Sequence, residues 1–188
     1  MSNYFQELAA SFSHPVTAIA QCLGFIPVVL GFFVFRNISR RASIVIKAVS
    51  DFLAAVHFLL LGAITGSTIN FINTARDICF AQKGRQKWAR GIWMPAIFCG
   101  LTAVGSILSW TGLISLLPLL GSCLAVVGYW CSDPKKLRAF NFVGIFLWLI
   151  YCIPTFSLPS IVGNSISLFS IVRTEWKLRK KINGVSHP

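Results

Sequence analysis

Seven apolar windows, each about long enough to cross a bilayer, follow one another with short connections, near residues 15–35, 43–61, 64–82, 91–109, 112–131, 137–155 and 158–176. A spanning helix needs roughly 20 apolar residues, rising 1.5 Å each, to cover about 30 Å of hydrocarbon. Pro15 after Ser13, Pro95 in the fourth window, Gly62 to Gly66, Thr111-Gly112 and Ser157 to Pro159 punctuate the series. Only 12% of the 188 residues are charged and 55% are hydrophobic, where a soluble domain carries about a quarter charged. The pattern specifies an all-α membrane protein with seven transmembrane helices.

Charge gives the orientation, because cytoplasmic connections collect Lys and Arg. Arg36, Arg40, Arg41 and Lys47 lie around the first connection, Lys83, Arg85, Lys87 and Arg90 fill the third, and Lys135, Lys136 and Arg138 fill the fifth. Lys177, Arg179, Lys180 and Lys181 follow the last window, while Arg76 and Arg173 close the third and seventh, so all 17 basic residues fall on one side. The N-terminus is expected outside and the C-terminus in the cytoplasm. A reporter fused after Pro188 should therefore read cytoplasmic and one at residue 2 external; a cytoplasmic N-terminus would overturn the orientation. The net charge of +12 follows from this topology and from attraction to anionic lipid headgroups, so no nucleic-acid partner is expected. Residues 1–14 hold Glu7 and no basic stretch, so the first apolar run is expected to stay as a span. Tyr4, Phe5, Leu8 and Phe12 fall at helical spacing and suit a short amphipathic helix on the outer interface.

The chain also repeats itself. A shift of 97 residues places Leu23-Gly24 on Leu120-Gly121, Val29 on Val126, Gly31 on Gly128, Arg41-Ala42 on Arg138-Ala139, Gly66 on Gly163, Ile69 on Ile166 and Arg76 on Arg173. Three spans recur and the fourth turns the chain round between them, which predicts two parallel three-helix bundles joined by a linker helix. The expected organisation is an external segment 1–14, a first bundle 15–82, a basic loop and linker helix 83–111, a second bundle 112–176 and a basic cytoplasmic tail 177–188.

Within the third span Ser67, Asn70, Asn73 and Asp77 form a polar ladder, and the same shift sets them on Asn164, Ser167, Ser170 and Thr174. Steps of three and four residues put each ladder on one helical face. Lipid cannot hydrogen-bond these groups, so the faces should turn inward, either to line a solute cavity or to glue helices together. Asp51 in the second span falls on Trp148 in the sixth. A carboxylate at mid-span marks a pathway or pairs with a nearby cation, here Lys47 one turn away. Trp148 offers a flat face and one donor to a ring-shaped solute, or else packs in the core. His57 suits packing or proton relay.

The six cysteines show no C-x-x-C pair and no clustered histidine, so they are expected as packing groups, with no metal and no cofactor. Nor is there a Ser-His-Asp order, an HExxH or a paired-carboxylate motif, and an enzyme is not expected.

The segments "HFLLLGAITGSTINFINTARD", "LISLLPLLGSCLAVVGYW" and "SDPKKLRAFNFVGIFLWLIY" resemble the YgjV-type inner-membrane proteins of bacteria, over nearly the whole chain after residue 15. The helix plan is also similar to the SWEET sugar facilitators and the PnuC nicotinamide-riboside transporters. In SWEETs an Asn from each third helix and a Trp from a second helix form the central site, which this resemblance carries onto Asn70, Asn164 and Trp148. Asp51 departs from that pattern, since its SWEET counterpart is uncharged. The expected function is a facilitator or secondary transporter of a small polar solute by alternating access, binding at Asn70, Asn164, Trp148, Asp51, Asn73, Ser67 and Ser167, with a coupled proton or cation. The alternative is a non-transporting receptor or scaffold, as the similar fold of the KDEL receptor illustrates. Either class is compatible with an oligomer.

Overall fold

The computed structural model describes residues 15–34, 40–83, 85–131 and 133–185. The segment 1–14 with Tyr4, Phe5, Leu8 and Phe12, expected on the outer interface, lies outside them, as do Arg36 and the side chains of Arg40, Arg41, Arg179 and Lys181. Among the described residues there are seven α-helices and no strand: α1 (Pro15–Val34), α2 (Arg40–Leu60), α3 (Ile64–Ala81), α4 (Trp93–Leu108), α5 (Leu116–Trp130), α6 (Pro134–Cys152) and α7 (Leu158–Val185). Short 3-10 turns at Trp88–Arg90 and Leu113–Ser115 lead into α4 and α5.

Local chemistry sets the ends. α6 starts before residue 137 because the Asp133 side chain accepts from the Lys135 amide at 2.8 Å and Pro134 occupies the first helical position. α2 ends on Gly62, whose φ of +72° lies in the left-handed region. There the Gly62 amide bonds Leu59 O and the Ala63 amide bonds Phe58 O, the pair of reversed bonds that closes a helix on a left-handed residue. α6 ends the same way: Phe156 N bonds Ile153 O and Ser157 N bonds Cys152 O. Here the left-handed residue is Phe156 (φ 51°), a strained choice worth of order 1–3 kcal/mol. α7 continues as helix to Val185, into the residues read as a basic tail.

In the packing, α2 contacts α1 and α3, α6 contacts α5 and α7, α1 meets α7, α3 meets α5, and α4 rests on α3 and α5. The polarity of this assembly is the reverse of a protein in water. Gln21, His57, Thr65, Asn70, Asn73, Arg76, Asp77, Thr102, Ser106, Ser115, Ser122 and Ser157 are buried, while Ile92, Leu108, Leu113 and Phe169 are among the many large apolar side chains left exposed. Exposed apolar area on this scale is stable only against lipid or a partner. One described segment, Leu113–Trp130, is both long and apolar enough to cross a membrane by composition alone, and Pro15–Gly31 and Trp93–Leu108 are apolar but shorter. Lys47 and Asp51 place charge inside α2, Arg76 and Asp77 place it inside α3, and these four groups are paired in the fold.

Candidate functional site

The tight Gly62 turn folds α3 back along α2, which sets Lys47 and Asp51 opposite Asn73, Arg76 and Asp77. Lys47 Nζ lies 2.7 Å from Asp51 Oδ2 and 3.4 Å from Asp77 Oδ2. Arg76 Nη2 lies 2.7 Å from Asp77 Oδ1 and 3.5 Å from Asp51 Oδ2. Arg76 Nε also donates to Asp77 Oδ1 at 2.7 Å, and Nη1 donates to Asn73 Oδ1 at 2.8 Å. Two cations and two carboxylates thus close a ring of zero net charge. Side-chain exposure rises from 1% at Arg76 and 3% at Asp77 to 14% at Asp51 and 23% at Lys47. A lone charge buried here would cost several kcal/mol, so each member depends on the others. Asp77 Oδ2 is the loosest atom of the ring: it has the Lys47 ion pair but no hydrogen bond.

α5 closes over the ring from the other half of the chain. The Tyr129 ring centroid is 5.5 Å from both Lys47 Nζ and Arg76 Cζ, a geometry in which the negative face of the aromatic attracts both cations. Asn73 Nδ2 donates to Ser122 Oγ at 3.2 Å, so the polar chain runs from α2 through α3 into α5. Just beyond, Lys83 Nζ stands 3.6 Å from the Trp130 ring centroid.

A second set of contacts joins the two halves at the opposite end of the helices. His57 Nδ1 is 2.7 Å from Ala20 O and Nε2 is 2.7 Å from Ser157 Oγ. A carbonyl can only accept, so Nδ1 carries a proton, and in the neutral ring Nε2 accepts from the serine. Gln21 Nε2 donates to Phe156 O at 2.6 Å. The Gly66 amide, in the first turn of α3 where no side chain of its own helix caps it, donates to the Tyr151 hydroxyl of α6 at 2.9 Å. Between these bonds Phe58 packs on Trp148 and Tyr151, with ring centroids 5.9 and 6.0 Å away, and Cys152 completes the buried cluster.

The residues singled out in the sequence fall into three places. Asp51 and Asn73 join the charged ring. Trp148 sits in the aromatic cluster with its indole against Gly121. The remaining amides and hydroxyls bond within or beside their own helix: Asn70 Nδ2 to Gly66 O at 2.8 Å, Ser67 Oγ to Ala55 O at 2.9 Å, Asn164 Nδ2 to Cys152 Sγ at 3.6 Å, and Ser167 Oγ to Gly163 O at 2.8 Å. The two ladders also differ in exposure. Ser67, Asn70, Asn73 and Asp77 are buried, whereas Ser170 and Thr174 are exposed. The Thr174 hydroxyl donates to its own helix at Ser170 O, which lets it face an apolar surrounding at low cost. Sequence reading placed Arg76 among the cytoplasmic charges and left Tyr129 unmentioned. An Arg-Asp pair inside an apolar helix, one turn after an Asn, is the local signal for a buried partner on a neighbouring helix.

Comparison with known proteins agrees with this setting. The model of the Imp-YgjV family, described as a bacterial inner membrane protein, matches residues 18–182. The chain is 24% identical over 170 residues, 87% of each protein, to a relative described as inner membrane protein YgjV of Escherichia coli (strain K12). No solved structure matches.

Proposed function

Because the chain belongs to this family of bacterial inner membrane proteins, we propose that it moves a small polar solute across that membrane as a facilitator or secondary transporter. In this reading all seven helices span the bilayer, with the N-terminus outside and the C-terminus in the cytoplasm. The units α1–α3 and α5–α7 then form two related bundles joined by α4. The neighbour relations support it: exchanging the two units turns the contacts α1–α2, α2–α3 and α1–α7 into α5–α6, α6–α7 and α5–α3, all of which occur.

The observation that carries the proposal is the charged ring. Replacing a buried ion pair with apolar residues of similar volume is often neutral or stabilising, so four charges inside a membrane helix pair are poorly explained by stability, and intramembrane charge is the usual mark of a conduction path. The contacts at the two ends suit alternating access. On one side Tyr129 and Ser122 hold the ring shut; on the other His57–Ser157, Gln21–Phe156 and Tyr151–Gly66 hold the halves together. In this reading, opening either set would form a space between Asp51 and Trp148, toward which Asn70, Asn73 and Asn164, with Ser67 and Ser167, would turn their hydrogen-bonding groups, and Asp51 would carry the coupled proton or cation.

Counterflow into proteoliposomes, run over a panel of labelled sugars, nucleosides and amino acids, tests this. At least one solute should accumulate, and Asp51→Asn should lower its uptake or change its pH dependence at near-normal folded yield. Asp51 is partly exposed and Asn keeps its size, so the fold should tolerate the change better than a change at Arg76. A folded protein that exchanges nothing would leave the receptor or scaffold reading in its place.

A further inference from the structure

We propose that the groove between α6 and α7, at the ends carrying Lys135 and Trp176, is a binding site for one anionic phospholipid. Its phosphate would rest on Lys135, Arg138 and Lys180, and an acyl chain would lie along Phe142, Val143 and Val172. The groove exists because the second unit lacks the charged ring of the first. Under the 97-residue shift Lys47, Asp51, Arg76 and Asp77 correspond to Gly144, Trp148, Arg173 and Thr174, which offer no carboxylate to draw the helices together. α6 and α7 accordingly share a less extensive contact than α2 and α3. Between them opens a space of about 610 Å³, within the roughly 300–1,000 Å³ range of small-ligand sites.

The chemistry of the walls is divided by depth. Phe142, Val143 and Val172 are exposed along the groove, and a bilayer surrounds them with acyl chains. At the rim Arg138 is fixed by its hydrogen bond to Glu175, which ties the two helices and orients the guanidinium. Trp176 and Lys135 line the opening, and Lys180 Nζ stands beside it, 4.6 Å from the Trp176 ring centroid. Three cations against one carboxylate leave the rim positive. Trp176, 59% exposed, is the side chain that membrane proteins place at headgroup level. A basic rim above an apolar trough fits a lipid phosphate with its chain attached better than it fits a free anion, which would leave the trough empty.

Native mass spectrometry of the full chain in detergent, titrated with phosphatidylglycerol and with phosphatidylcholine of the same acyl chains, reads the site. Phosphatidylglycerol should bind about tenfold or more tightly, a preference supplied by a few basic groups near the headgroup. The double variant Lys135→Ala/Lys180→Ala should reduce that preference to about twofold. Ala139→Trp, an exposed residue in the groove wall, should fill the trough and weaken both lipids at unchanged melting temperature. Millimolar glycerophosphate should fail to displace the lipid from the unaltered protein. Equal binding of the two lipids would overturn the proposal, as would displacement by glycerophosphate, which would assign the rim to free phosphate. Both of those measurements use the unaltered chain, so they decide the matter even where a variant does not fold.

Discussion

Arg76→Met should cost the fold about 3–5 kcal/mol, the range found when one partner of a buried ion pair is removed and the other is stranded. Arg76 is the member with the most to lose: it is 1% exposed, it bonds Asp77 and Asn73, and it lies 3.5 Å from Asp51. Without it Asp77 keeps only Lys47 Nζ at 3.4 Å, a group it shares with Asp51. The companion Arg76→Met/Asp77→Leu should recover most of the loss, because Lys47 and Asp51 remain as a neutral pair at 2.7 Å. Equilibrium unfolding in mixed micelles of the single and double variants measures the coupling. A single variant within about 1 kcal/mol of the unaltered protein, or a double variant that is worse than either single, would show that the four groups are not one electrostatic unit.

Gly144→Val should be the most damaging small change in the second half of the chain. A Cβ at Gly144 would stand 2.8 Å from the backbone oxygen of Gly121, and a Cβ at Gly121 would stand 2.9 Å from that of Gly144. Backbone cannot step aside as a side chain does, so α5 and α6 must separate and Trp148 loses its seat. Overpacking of this kind costs about 1–3 kcal/mol and occasionally more. Gly144→Ala should already destabilise. Gly100→Ala in α4, with nothing within 4 Å of its Cβ, should instead gain up to about 1 kcal/mol from helix propensity. Melting temperatures of the two alanine variants should therefore move in opposite directions; a shared direction would refute the backbone contact.

These two cases mark what a sequence can disclose. The pairing of Lys47 with Asp51 was readable, since four residues on one helix are neighbours whatever the fold. That Arg76 and Asp77 complete the ring was not, because it depends on how α3 lies along α2 and which face it turns. The repeat expected from the 97-residue shift has the same limit. Gly24 and Gly121 coincide under the shift, and each receives a ring from the next helix, His57 in one case and Trp148 in the other. Arg76 and Arg173 coincide as well, yet Arg76 is buried among carboxylates while Arg173 is exposed. A constant offset records register, and the partners that give a residue its environment come from other helices. The helices themselves were legible because apolar length is a local property. The start of α6 was signalled by Asp133-Pro134, a local cap that apolarity alone passes over.

The hydrogen bond from the Gly66 amide to Tyr151 spans 85 residues of chain. Chains are made at roughly 5–20 residues per second, so at synthesis the donor precedes its acceptor by roughly 4–17 seconds. Throughout that interval the Gly66 amide in the first turn of α3 lacks the partner it has in the finished fold and must be met by water or by another group. The first unit therefore leaves synthesis unfinished, and the arrival of α6 is the event that seals it.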